Sequence, residues 1–528
     1  MLNKKWFLYL TEFFSGMSVM AIELGASRLL APYFSSSQIV WTIIIGAIMI
    51  AMALGNIWGG RLADKNPSPD KMYFRILIVA VWTAAIPFVG KYVIAVISLL
   101  LAMLVGQNFL IWASLLSCMV LFVFPLMLLG SVSPALVKYA VRSLDENGKI
   151  VGELNALNTI GSIIGTFTPT FITIPLVGTS WTFIIFAIIL LAIALAYFIS
   201  TRTKLIKVAI MVVLTISFSA LASINSFAFW RADENLYEDE SIYNYLQVSE
   251  DEENIILSTN VLFGVQSITK KDGSFTGLYY DYALSAPYMA GVTEKDEFNI
   301  LILGMGSGTY ASQCYKYFDN TVITGVEIDK KIIDLAYDRF GLPEDERITC
   351  VEFDGRAYLR GAPSYDLILV DAYRDVTIPF QMSSVEFFSE VKEHLSSDGV
   401  MVVNLNMYSS TEESLDKYIC DTVASVFDTV YVADRGTNRI VFASDNPDLL
   451  DRYRDTYPKA NHELSSVLHT LNSKIKSYEG GSLILTDDKA PVELLGMQVI
   501  DEMIVEQLSR YKEAFKNMSL SEMFDFLK

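Results

Sequence analysis

Cysteine and histidine are scarce in this chain of 528 residues. There are four cysteines and three histidines. Cys118, Cys314, Cys350 and Cys420 are scattered with no CxxC pair, which excludes a zinc ribbon and a disulfide framework. His394, His462 and His469 form no metal-ligand set, so no metal is expected. Positive charge is also missing from one part. Residues 227–528 carry 26 Lys and Arg against 52 Asp and Glu, whereas residues 1–226 carry 14 against 7. So acidic a C-terminal part excludes nucleic acid as a partner and does not suit an anionic lipid surface.

What is abundant is apolar sequence. The chain is 52% hydrophobic, with a mean hydropathy of +0.38. The excess lies in residues 1–226, which read as a membrane domain with the lipid bilayer as partner. Runs near 6–31, 38–60, 73–90, 108–130, 152–177, 180–200 and 205–226 approach the roughly 20 residues that a spanning helix needs. Residues 91–107 are apolar but short and read as a re-entrant or interfacial piece. "MLNKKWFLYL" has a basic flank but no small-residue cleavage site, so it reads as a first span rather than a signal peptide. Basic residues cluster in alternate connections: Lys4 and Lys5; Arg61, Lys65 and Lys71; Lys138, Arg142 and Lys149; Arg202, Lys204 and Lys207. The positive-inside rule puts these in the cytoplasm, and seven spans then leave the acidic part outside the cell membrane. Glu12, Glu23, Arg28 and Asn155 lie within spans, where polar groups face a partner or an interior path. Gly55/Gly59 and Gly161/Gly165 have the spacing of close helix packing.

The rest reads as a small β subdomain at 240–290, with a hairpin signal at "KKDGS", and an α/β domain over 291–528. "FNILILGMG", "VITGVEID", "ITCVEFD", "YDLILVDAY" and "VMVVNLN" are buried strands separated by helical stretches. That alternation predicts a doubly wound parallel sheet with its small-molecule ligand at the carboxyl ends of the strands. Candidate site residues gather there. Gly304, Gly306 and Gly308 permit a tight turn and a close backbone approach. Glu327, 19 residues after Gly308, ends strand two, where carboxylates bind ribose hydroxyls. Asp354 and Gly355 follow strand three, and Asp371, Tyr373 and Arg374 follow strand four. The glycine turn alone also fits a dinucleotide enzyme; four successive strand ends carrying such residues are more specific. In "LTDDKAPVE", Asp487 or Asp488 is expected to cap the next helix, with a place at the mouth of a pocket as the alternative.

These residues resemble the spermidine synthase family, whose catalytic domain has an S-adenosylmethionine methyltransferase-type fold. The resemblance covers about residues 240–410. "ELGASRLLAPYFSSS", "LGNIWGGRLADK", "LNTIGSIIGTF" and "TDDKAPVE" are similar to segments of membrane-fused members. It implies that the glycine turn and Glu327 hold the nucleoside, that Asp354 borders the adenine, and that Gln266 contacts the amino-acid-derived arm. It also implies that Asp371 is the catalytic base, assisted by Tyr280 in "YYDYALSAP", with Asp281 beside the substrate. Two departures matter. Ser307 stands where the family turn carries an ammonium-binding aspartate, and Arg374 where it carries a second acid near the same arm. Arginine suits a carboxylate. The expectation is therefore S-adenosylmethionine as substrate, closing on itself to homoserine lactone and methylthioadenosine as in S-adenosylmethionine cyclotransferases. The alternatives are an aminopropyltransferase using the decarboxylated form, a transporter or sensor of a polyamine or nucleoside, and a small-molecule methyltransferase. Nothing in the sequence fixes the oligomeric state.

Overall fold

A computed structural model describes residues 5–496, apart from 105–107, 142–146, 229–236, 261–264, 374–377 and 407–413. The N-terminal part is a helical bundle. Among the described residues, six helical stretches are long and apolar enough to cross a membrane: Lys5–Phe34, Gln38–Lys65, Pro69–Leu101, Phe109–Ala140, Asn147–Thr201 and Leu205–Ile224. The fifth is two helices. Gly178 has φ +81°, ψ 171°, and Thr182 donates to Thr173 at 2.8 Å. Nine residues of continuous helix would separate these by about 13.5 Å, so the chain turns back at Gly178. Residues 91–107 were expected to leave the bundle as a re-entrant or interfacial piece. Of these, 105–107 lie outside the described residues, and 91–104 do not leave it. Instead they continue the helix Pro69–Leu104, because "KYVIAVISLLLAML" contains no proline or glycine to stop it.

Glycines set the helix spacing. A Cβ on Gly161 or Gly165 would lie 2.0 or 2.1 Å from the carbonyl oxygens of Phe13 and Met17, and one on Gly55 would lie 2.4 Å from that of Met127. Glu12, buried in this bundle, accepts from Asn158 Nδ2 at 2.9 Å, a helix-to-helix tie. The outer face remains apolar: Met49, Ile50, Leu54 and Ile57 are each about half exposed or more.

The ends of the bundle differ. At one end Tyr9 meets Glu153, Lys138 pairs with Asp64 at 2.9 Å and Lys204 with Asp70 at 3.8 Å. At the other, Arg28 donates to the Ile242 carbonyl, Thr179 donates to the buried carboxylate of Glu240, and Lys91 Nζ reaches the Ser226 carbonyl at 2.9 Å. The C-terminal part is attached at this second end.

That part starts with an antiparallel sheet of β1 (Tyr237–Glu240), β2 (Tyr245–Glu250), β3 (Asn254–Thr259) and β4 (Ser267–Lys270). Two short helices follow, Tyr279–Ala283 and Ala286–Ala290, where strands and turns were expected. The main sheet contains β5 (Phe298–Leu303), β6 (Thr321–Glu327), β7 (Ile348–Glu352), β8 (Tyr365–Val370), β9 (Leu395–Leu405), β10 (Thr429–Arg435), β11 (Asn438–Ser444) and β12 (Lys476–Ser477). Their order is β12-β10-β11-β9-β8-β5-β6-β7. β5 to β9 pair in parallel as expected. The sheet is nevertheless mixed, since β11 runs antiparallel to β9, and β10 to β11 and β12. The hairpin β10–β11 turns through Gly436 at φ +63°. Side chains alternate between two packed faces: Leu301, Leu303, Ile368 and Val370 enter one core, and Ile300, Ile302, Leu367 and Leu369 the other. Both faces being covered, the ligand is left the strand ends.

Candidate active site

A cavity of about 520 Å³ opens above the carboxyl ends of β5, β6 and β8. That size suits a small organic ligand. Its floor begins at the glycine turn. Gly304, Gly306 and Gly308 have φ of +85°, +57° and +76°. A Cβ on Gly304 would lie 2.5 Å from the Ala372 Cα, so only glycine lets the turn after β5 pass the segment after β8. Glu327, at the end of β6, accepts from the Gly306 N–H at 3.1 Å and from the Asp329 N–H at 3.2 Å. Withdrawal from water pushes its carboxyl up to about 7, against the pull of those two N–H groups.

Asp371 follows β8 and lies in the floor. One carboxylate oxygen accepts from the Tyr279 hydroxyl, the other from Asn404 Nδ2 at 2.8 Å. Asn404 is oriented in turn by Asn438, which donates to its Oδ1 at 2.8 Å. Withdrawal from water pushes Asp371 up to about 7; the Tyr279 and Asn404 bonds hold it down and the charge of Glu327 adds a smaller upward push. A carboxylate near 7 exchanges protons readily at neutral pH.

The structure brings Gly304, Gly306, Gln266, Glu327, Asp354, Gly355, Asp371 and Tyr373 to this cavity. Asp354 also caps the helix Gly355–Leu359 through the Ala357 N–H at 2.8 Å. Tyr373 donates to the Asn404 carbonyl and accepts from the Asn406 N–H at 3.0 Å, so its hydroxyl braces the end of β9. Gly308 begins the helix Thr309–Tyr317, against Leu342.

Others stand elsewhere. Tyr280 bonds Ser267 at 3.2 Å, and the tyrosine on Asp371 is its neighbour Tyr279. Ser307 is buried behind the cavity wall and donates to Ser267, which lines the cavity, at 2.7 Å. Asp281 is fully buried outside the cavity. It accepts from the Thr276 and Gly277 N–H groups at 3.1 and 2.8 Å and pairs with Arg435 at 3.2 Å, which makes it a brace for the loop before Tyr279. Arg374 lies outside the described residues. Asp487 is not a helix cap: it accepts from Arg356 at 2.7 and 2.9 Å and from Ser384 at 2.5 Å. The mouth of the pocket takes Glu493 from the same segment instead.

Sequence reasoning missed Tyr279, Asn404 and the contribution of the helical bundle. Asn404 was findable, because it ends a fifth parallel strand beside Asp371. Ser27, Arg28, Gln38 and Trp41 line the cavity from the bundle, and no strand-end rule points to them. Among the described lining residues Arg28 is the only cation, against Glu327, Asp354, Asp371 and Glu493. Such a site favours a cationic ligand. Among the described residues no group of three or more His, Cys, Asp or Glu is placed to hold a metal.

The family model for the spermine/spermidine synthase domain matches residues 287–435. A probable polyamine aminopropyl transferase of Bifidobacterium longum is 46% identical over 345 residues, 61% of this chain and 76% of that protein. A polyamine aminopropyltransferase of Vibrio vulnificus is 26% identical over 49% of this chain and 91% of its own length. The crystal structure of a probable spermidine synthase from Corynebacterium glutamicum aligns with a TM-score of 0.35 at 18% identity, covering 48% of this chain and 99% of that one. On its similarity to the Bifidobacterium protein, the chain belongs to the spermidine synthase-like family of polyamine aminopropyltransferases.

Proposed function

We propose that the protein transfers the aminopropyl group of decarboxylated S-adenosylmethionine to an amine and releases methylthioadenosine. The observation that carries this is Asp371, a carboxylate near 7 held by Tyr279 and Asn404 in the floor of an acidic cavity. Glu327 is suited to the ribose and Asp354 to the adenine edge. The amine arrives as an ammonium ion and gives a proton to Asp371. Its freed lone pair attacks the carbon next to the sulfonium sulfur. The carbon–sulfur bond breaks, its electron pair stays on sulfur, and a neutral thioether leaves. Holding both reactants in line supplies much of the acceleration, and the base supplies about 10²–10⁴-fold.

One observation favours a second reading. Ser307 replaces the ammonium-binding acid of the family turn and is committed to Ser267. A ligand that keeps its carboxylate could then be bound, and that carboxylate could close on its own γ-carbon to give homoserine lactone and methylthioadenosine. The test is acceptor dependence. Aminopropyl transfer predicts methylthioadenosine only from the decarboxylated compound together with a diamine. Release from intact S-adenosylmethionine with no amine overturns it in favour of cyclisation.

The helical bundle is proposed to span the membrane. Support comes from its six apolar stretches, its exposed apolar face, and the placing of Lys138 and Lys204 at the end remote from the cavity, paired with Asp64 and Asp70. The positive-inside rule puts that end in the cytoplasm and the cavity on the other side. Labelling of Lys459, which is exposed on the C-terminal part, by an impermeant amine reagent in intact cells is expected. Protection until the cells are lysed would reverse the orientation.

A further inference from the structure

The cavity has a floor from one half of the chain and a roof from the other. The roof is the corner between the first two long helices, where Ser35 takes φ +74° and Ser37 caps the second helix through the Val40 N–H at 3.4 Å. Arg28, Gln38 and Trp41 face the same cavity as Glu327 and Asp371. This corner is the "ASRLLAPYFSSSQIVW" stretch, for which transfer chemistry at Asp371 supplies no role.

Two ties fix the roof over one end of the floor. Arg28 holds the Ile242 carbonyl, and the adjacent Ser241 hydroxyl donates to Asp329 at 2.5 Å, two residues beyond Glu327. The Gln38 N–H donates to Glu493 at 3.1 Å, and the segment leading to Glu493 is held through Asp487 by Arg356, two residues beyond Asp354. Both anchors reach the β6–β7 side, where Glu327 and Asp354 lie, and the second is shared with Ser384 from the segment after β8, which donates to Asp487 at 2.5 Å. Two aromatic rings at this end are left open, Phe353 at 50% and Phe380 at 46% exposure, and both line the cavity with Trp41. Open aromatic faces beside a carboxylate suit a flat, heteroatom-rich ring such as a purine.

We propose that Trp41, supplied by the helical bundle, is a nucleobase-recognition residue, and that the corner at Ser35–Gln38 closes the nucleoside end of the active site. The bundle is then part of the binding site and not only an anchor. This rests on the nucleoside reading of the cavity given above.

The test uses the full chain in detergent with methylthioadenosine as probe. Calorimetry is expected to show affinity about tenfold or more weaker in Trp41→Ala, the scale of one lost base–aromatic stack, and near wild type in Trp41→Phe. In turnover, Trp41→Ala raises KM for the sulfonium nucleoside, while kcat and the pH midpoint stay in place. Methylthioadenosine quenches tryptophan emission in the wild type, and Trp41→Phe, which keeps a ring in the site, removes that quenching even if the alanine variant does not fold. Wild-type affinity in Trp41→Ala, or quenching retained in Trp41→Phe, overturns the inference alone. No binding by the wild type overturns the nucleoside reading itself, and the inference with it.

Discussion

Replacing Tyr279 by phenylalanine removes one hydroxyl and tests which tyrosine serves the base. That hydroxyl donates to Asp371 and stabilises its ionised form. A hydrogen bond to a charged group contributes about 1.5–3 kcal/mol, and each pKa unit corresponds to about 1.36 kcal/mol. The variant's Asp371 should therefore titrate about one to two units above the wild-type value of about 7. At pH 7 the ionised fraction falls from about one half to between about one tenth and one hundredth, so kcat/KM falls roughly 5- to 50-fold. Raising the pH recovers most of the loss, because the base is intact and only its proton affinity has changed. The assay is the pH profile of kcat/KM from 5.5 to about 9.5, following methylthioadenosine release. Tyr280→Phe is the control. It loses the 3.2 Å contact with Ser267 and the interaction with the Tyr279 hydroxyl but no bond to Asp371, so its midpoint should move less than that of Tyr279→Phe and its rate fall less than about threefold. A shifted midpoint in Tyr280→Phe with an unshifted one in Tyr279→Phe would refute the reasoning.

Four further outcomes are expected. Asp371→Asn should lose about a thousandfold in turnover yet keep methylthioadenosine affinity, an outcome that a pure binding protein or transporter would not show. The same variant should be more thermostable at pH 8: a carboxyl raised to about 7 favours the folded state while protonated and penalises it as pH climbs from the ordinary carboxylate range through 7, by up to roughly 4 kcal/mol; equal melting at pH 8 and pH 5 in both proteins would contradict this. Gly304→Ala pushes a Cβ to 2.5 Å from the Ala372 backbone and should weaken nucleoside binding at least about tenfold by calorimetry, whereas Gly436→Ala, with positive φ but open space around it, costs about 1 kcal/mol in stability and leaves binding alone. Arg356→Ala strands Glu390 and Asp487, whose carboxylates it holds at 2.9 and 2.7 Å; with Asp487 39% exposed the cost should be about 2–3 kcal/mol, below the fully buried case, read as a lower unfolding midpoint.

The parallel core of the sheet was legible because four of its five strands are apolar runs that end in a glycine or an acid, and the fifth ends in an asparagine. Gly304, Glu327, Asp354 and Asp371 could be placed at strand ends from those boundaries alone. The antiparallel edge was equally readable in principle: "TVYVADRGTNRIVFAS" alternates about a glycine turn. The site's second tier was not. Tyr279 and Tyr280 are adjacent on a short helix, so which hydroxyl reaches Asp371 depends on the rotation of that helix, and no spacing encodes it. Ser307 looked like a ligand contact from its place in the turn, but the fold gives its hydroxyl to Ser267 on β4. Asp281 likewise shares a helix with the working tyrosine yet points at Arg435. The bundle's share in the cavity depends on how two halves dock. Arg28 meets Ile242 across 214 positions of chain, and local pattern carries no information over such a distance.

The most direct measurement is a cryo-electron microscopy map of the full chain with methylthioadenosine bound. It should show the ribose hydroxyls at Glu327, the adenine between Asp354 and the corner carrying Trp41, and the thioether sulfur directed towards Asp371. A nucleoside bound elsewhere, or turned so that its sulfur lies away from Asp371, would contradict the account.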